Sequence, residues 1–127
     1  MLDASAAVEL VFATPPGAAV ARRLRGETVH APAHFDVEVI GAIRRAVVRQ
    51  LISDHEGLVA VVNFRSLPFR RWPTESFVQR AYQLRSTHTV ADGVYIALAE
   101  GLAAPLIMCD GRLAQSHGHD AAIELIA

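Results

Sequence analysis

Four acidic residues, Asp3, Glu38, Asp92 and Asp110, each sit in an apolar setting rather than in a run of charge. Carboxylates gathered in one pocket repel one another, so without a counter-charge at least one of them acquires a raised pKa. A divalent cation relieves that repulsion. A site with only oxygen donors favours a hard ion, Mg²⁺ or Mn²⁺. Zinc is disfavoured, because no histidine or cysteine accompanies the four at zinc spacing.

The charge balance is compatible with such a pocket. The net charge is −1, so setting four clustered acids aside leaves +3 on the rest of the chain, all twelve of its basic residues being arginine. A locally acidic site on a mildly basic body suits a phosphate-chain substrate met through metal ions.

Positioning these acids requires strands and helices in alternation. Met1-Leu2 reads as the end of a short strand, cut off at Asp3, and Ala4 to Phe12 as a helix broken by Thr14-Pro15-Pro16-Gly17. Ala18 to Arg25 is expected to be helical and stopped by Gly26, and Thr28 to His30 to be a short strand ahead of Pro32. Phe35, Val39, Ala42/Ile43, Ala46/Val47 and Leu51 follow a 3.6-residue period, which predicts a long amphipathic helix from Ala33 to about Leu51. A helix from Asp54 to Phe64, a strand over Leu67–Trp72 and a helix over Thr74–Arg85 follow. The chain closes with a helix from Thr89 to Glu100 ended by Gly101, a buried strand Leu106–Cys109, a short helix Arg112–Gln115 and a last strand Ile123–Ile126.

This alternation implies a single α/β domain over residues 1–127, with a mostly parallel sheet of four to five short strands covered on both faces. Ligands in such folds collect at the carboxyl ends of the strands. Asp3 and Asp110 each follow an apolar strand and precede a helix, which puts both at that edge. Glu38 lies in the most regular helix, with His34, Gly41 and Ala42 one turn away. Asp92 lies in the first turn of its own helix. Each acid also has a purely structural reading. Asp3 and Asp110 suit N-caps, Asp92 completes a Thr89-x-x-Asp92 capping box, and Glu38 suits a pair with an arginine at a helix edge.

A chain of 127 residues with one cysteine and no apolar run of eighteen residues is expected to be soluble and cytoplasmic, with no disulfide framework and no membrane span. Its N-terminus lacks the order of a secretory signal.

Three segments resemble the acidic motifs of PIN domains: Leu2-Asp3-Ala4-Ser5, the stretch Phe35 to Arg45 around Glu38, and Ala91-Asp92-Gly93-Val94-Tyr95-Ile96-Ala97-Leu98-Ala99-Glu100. Leu106-Ile107-Met108-Cys109-Asp110-Gly111-Arg112-Leu113-Ala114 resembles the fourth. The likeness spans nearly the whole chain, in the family's order and spacing, and is closest to the toxin halves of VapBC-type toxin–antitoxin pairs. It implies a three-layer α/β/α PIN-like fold and a metal-dependent endoribonuclease that cleaves RNA phosphodiester bonds with metal-activated water. It further implies a small antitoxin partner and a homodimer. Asp3, Asp92 and Asp110 are then the expected metal ligands, and Glu38 a ligand or the group that orients or deprotonates the nucleophile. Ser5 and Arg112 are candidates for RNA contact or for support of the ligands. Two departures stand out. Strand one is two or three residues shorter than usual, and Met108 replaces the Thr or Ser common two positions before the last acid.

Two other readings compete. A metal-dependent phosphatase would use Asp3 as a covalent nucleophile, but that chemistry usually wants a second Asp where this chain has Ser5. A catalytically weak or inactive PIN-like regulatory module would bind metal weakly and cleave nothing. Among the remaining residues, Arg44, Arg45, Arg49, Arg70, Arg71 and Arg112 are placed to meet phosphates or to be ordinary solvated arginines. His117-Gly118-His119 reads as a surface turn, His30, His55 and His88 as ordinary histidines, Cys109 as an inert core thiol, and Phe69 and Trp72 as core or interface residues.

Overall fold

The computed structural model describes residues 1–127. Helices α1 (Ala4–Val11) and α2 (Pro15–Arg23) lead into strand β1 (Val29–Pro32), followed by α3 (Phe35–Val48), α4 (Asp54–Ser66) and β2 (Phe69–Trp72). A 3-10 turn, Glu75–Phe77, then precedes α5 (Val78–Gln83) and α6 (Val90–Leu102). Strand β3 (Leu106–Met108), a second 3-10 turn at Gly111–Leu113 and strand β4 (Ile123–Leu125) complete the chain.

The N-terminal residues knit the strands together. β1 pairs with β2 and β3 with β4, both in parallel. Leu2 forms a parallel bridge with Ile107. The Leu2 N–H donates to the His30 carbonyl, the Asp3 N–H to that of Ile107 and the Ile107 N–H to that of Met1, each at 2.9 Å. The strand order is therefore β2-β1-(Met1–Asp3)-β3-β4. This short N-terminal segment is the centre of the sheet, and Asp3 and Asp110 leave the sheet at the same edge.

Helices α1 to α4 pack against one another and α5 packs against α6, while α1 and α6 both lie on β3. This gives the expected helix–sheet–helix layering. Leu2, Phe35, Val39, Tyr95, Ile96, Leu98, Leu106 and Met108 fill the core. Phe35 stacks with Phe64 and Phe69 at centroid distances of 5.6 and 5.3 Å. α6 is buried without a break from Asp92 to Ala99, which explains its apolar sequence on every face. No single helix is long and apolar enough to cross a membrane.

Several boundaries differ from the sequence expectation for local reasons. Pro15 and Pro16 open α2 rather than interrupt the chain, since proline lacks only an N–H that the first helical turn leaves free, and Thr14 caps it. Gly17 lets α2 press onto α1, because a Cβ there would meet the Glu9 carbonyl oxygen at 1.9 Å. Gly101 lies inside α6, and Ala103 supplies the left-handed cap at φ 49°. The short helix expected after Asp110 is a 3-10 turn.

Candidate active site

Asp3 leaves the central strand as the N-cap of α1, so its structural role and its place at the sheet edge coincide. One carboxylate oxygen, Oδ2, accepts from the Ser5 amide at 3.0 Å and from the Ser5 hydroxyl at 2.5 Å. The Ser5 Oγ in turn accepts from the amides of Cys109 at 3.0 Å and Asp110 at 3.2 Å. A single hydroxyl thus ties the first acid to the backbone of the last, more than a hundred residues away. Asp3 is 2% exposed. Burial drives its carboxyl above the ordinary range and nearby Glu38 adds to the shift, while the Ser5 hydrogen bonds and the Arg112 charge oppose it.

Arg112 joins two of the other acids. Asp110 caps the 3-10 turn, its Oδ1 accepting from the Arg112 amide at 3.0 Å and its Oδ2 from Arg112 Nε at 2.7 Å. The far end of the same guanidinium, Nη1, donates to Asp92 Oδ2 at 3.2 Å. Burial alone would weaken that cation, but the carboxylates of Asp92, Asp110 and Asp3 more than offset it and raise its pKa. The capping box expected at Asp92 is half made. Thr89 Oγ1 accepts from the Asp92 amide at 3.2 Å, and the Asp92 carboxylate faces Arg112 instead of closing the box.

Glu38 rises from the first turn of α3. No arginine pairs with it directly, contrary to the structural reading of the sequence. Its neighbour is His34, whose Nε2 lies 3.1 Å from Oε1. That nitrogen donates to the Ala91 carbonyl at 3.2 Å, and Glu38 Oε1 stays buried without a hydrogen bond. Burial pushes the Glu38 carboxyl upward, but the neighbouring His34 and Tyr95 and the Arg112 charge outweigh it and hold it below its ordinary value. The buried Tyr95 hydroxyl lies beside that carboxylate.

Asp3, Glu38 and Asp110 line one cleft of about 500 Å³, together with Ser5, Glu9, Arg45 and Arg112. Asp92 is not on its wall and reaches it through Arg112. In this side-chain arrangement no three acids converge closely enough to hold a metal ion. The donor set nevertheless fits one. All four acids offer oxygen, Asp3 carries a desolvated carboxylate, Glu38 Oε1 is a buried acceptor without a donor, and a guanidinium already occupies the gap between Asp92 and Asp110.

His34 and Tyr95 were missed in reading the sequence as functional. The signal was there: His34 lies four residues before Glu38, and Tyr95 three after Asp92, each pair on one helical face. Other candidates are accounted for locally. Arg71 pairs with Asp36 at 2.7 Å, and Arg70 lies over the Trp72 ring at 4.8 Å. His119 is engaged at both nitrogens, by Ser116 and by the Ala121 amide, around a turn with Gly118 at φ 84°. Cys109 is half-buried, and burial pushes its thiol pKa up, away from reactivity.

The PIN domain family matches residues 1–117. Ribonuclease VapC12 of Mycobacterium tuberculosis (strain ATCC 25618 / H37Rv) is 84% identical over 127 residues, covering 100% of this chain and 98% of that protein. Ribonuclease VapC1 of the same organism is 34% identical over 128 residues, covering 99% of this chain and 96% of its own. Ribonuclease VapC3 is 34% identical over 117 residues, covering 91% and 85% respectively.

Proposed function

Because this chain belongs to the PIN-domain family, in its VapC branch, we propose that it is a metal-dependent endoribonuclease serving as the toxin of a toxin–antitoxin pair. The observation that carries this reading is the Arg112 bridge, a cation set between Asp92 and Asp110 beside Asp3, at the edge where a parallel sheet presents its ligands. The relatives named ribonucleases supply the substrate class.

Asp3, Asp92 and Asp110 would hold Mg²⁺ or Mn²⁺ where the guanidinium now lies. Such an ion, when bound, supplies Lewis-acid polarisation of the phosphodiester and a lowered pKa for water. The chain's own groups do the rest. Ser5 fixes Asp3 against the loop that carries Asp110. Glu38, kept ionised, accepts a proton from the attacking water in the cleft. Arg112, once released from Asp92, and Arg45 on the rim meet RNA phosphates. A phosphatase with Asp3 as nucleophile is disfavoured, because that carboxylate is buried and held by two hydrogen bonds from Ser5.

The exposed apolar residues Val37 and Val48 on α3 and Leu58 and Val62 on α4 leave surface for a small antitoxin and for a second copy of the chain. A toxin that cuts cellular RNA would act in the cytoplasm.

The test is cleavage of a total RNA pool by the purified protein. Cutting is expected with Mg²⁺ or Mn²⁺, none with chelator, and a loss of about a hundredfold or more in Asp92→Asn. Undiminished cutting by Asp92→Asn would remove the proposed site. A wild-type protein inert with every divalent ion would favour the regulatory module.

A further inference from the structure

Four buried side-chain polar atoms in the whole chain lack a hydrogen-bond partner, and three of them belong to one contact set: His34 Nδ1, Glu38 Oε1 and the Tyr95 hydroxyl. Orphaned buried polar groups are rare because each is costly, so three together mark a network built for an arrangement rather than a packing accident. Counting donors decides which one. His34 Nε2 faces the Ala91 carbonyl, which can only accept, so Nε2 carries a proton, and in the neutral ring Nδ1 is then an acceptor. The ionised Glu38 carboxylate can only accept. The Tyr95 hydroxyl is the one donor of the three, and a charged acceptor outcompetes a neutral one.

We infer that Tyr95 is a positioning residue for the proposed reaction, its hydroxyl donating to the Glu38 carboxylate and fixing the orientation of that acid in the cleft. The placement supports this role. Tyr95 is fully buried on α6, one turn beyond Asp92, and its ring meets His34 edge-on at 4.9 Å, between the helices that carry Asp92 and Glu38. The Ala4 amide, at the open start of α1, lies near the hydroxyl oxygen, which leaves the hydroxyl proton for Glu38. Glu38 is about one-third exposed at its side chain, with His34 Nε2 3.1 Å from its Oε1. Ring packing alone would be served equally well by phenylalanine, which carries no orphaned hydroxyl.

The inference rests on the nuclease reading for its catalytic meaning, but its test does not. In metal-free protein at fixed pH, Tyr95→Phe is expected to move the carboxyl carbon resonance of Glu38 while leaving that of Asp36 in place. Its melting temperature should fall by the modest amount that one lost hydrogen bond costs, whereas Tyr95→Leu, which also removes the ring, should melt far lower. In the cleavage assay Tyr95→Phe should lose about tenfold in kcat with KM little changed, the effect of one positioning hydrogen bond. An unmoved Glu38 resonance, or a fall in melting temperature with full turnover, would overturn the role. If wild type cleaves no RNA but the Glu38 resonance moves, the nuclease reading fails and the hydrogen bond stands.

Discussion

Asp3→Asn is expected to abolish cleavage and, at neutral pH, to raise the melting temperature. The activity loss should be on the order of a thousandfold, because the substitution removes one of the three charges proposed to hold a divalent cation. The stability gain follows from the direction of the Asp3 shift. Its folded pKa lies above the unfolded value of 3.8, with burial as the main cause. A raised carboxyl pKa means stability that is fully present below the unfolded value and lost as pH rises through the folded one. At neutral pH the ionised group is therefore a net burden on the fold. Asparagine keeps an oxygen for the Ser5 amide and hydroxyl while carrying no charge. Melting curves should show the variant ahead of wild type at pH 7 and the difference vanishing toward pH 3. A variant that melts lower at pH 7 would mean that Asp3 is a structural acid.

Ser5→Ala should damage both fold and activity. The Ser5 hydroxyl donates once and accepts twice, and without it the amides of Cys109 and Asp110 lose their partner. Unpaired donors of this kind cost about 2 kcal/mol in total once partial solvent access is allowed for. That corresponds to a melting temperature lower by roughly 8 °C for a domain of this size. Losing the support of two acids at once should reduce cleavage by about 10- to 100-fold. Ser5→Thr, which keeps the hydroxyl, should recover most of both. Alanine with normal cleavage would leave the serine no more than a helix-start residue.

These two residues also show what the sequence could disclose. Asp3 and Asp110 were legible because strand ends and N-caps are local features, and in a parallel sheet they predict one shared edge. Periodicity located α3, the helix that carries Glu38. The central place of Met1–Asp3 was not legible, since it depends on hydrogen bonds to His30 and Ile107 that no two-residue strand announces. Nor was the exchange of partners at the site. Capping rules assigned Asp92 to its own helix and Glu38 to an arginine. The fold instead gives Asp92 to Arg112, twenty residues on, and sets Glu38 beside His34 and Tyr95. Local propensity cannot rank such contacts, because they are decided by which helices the sheet brings face to face. The prolines that open α2 misled for the opposite reason. A breaker within a segment and a starter at its edge are the same residue, and only Thr14 as cap distinguishes them.

The central claim, that these acids exist to hold a hard cation, is tested most directly by anomalous diffraction from crystals grown with Mn²⁺. Manganese is expected in the cleft, with carboxylate oxygens of Asp3 and Asp110 about 2.0–2.2 Å away, near the octahedral oxygen distance of a small divalent ion. The Arg112 guanidinium is expected to have turned away from Asp92. A cleft without manganese at millimolar concentration, with Arg112 still spanning Asp92 and Asp110, would contradict that claim.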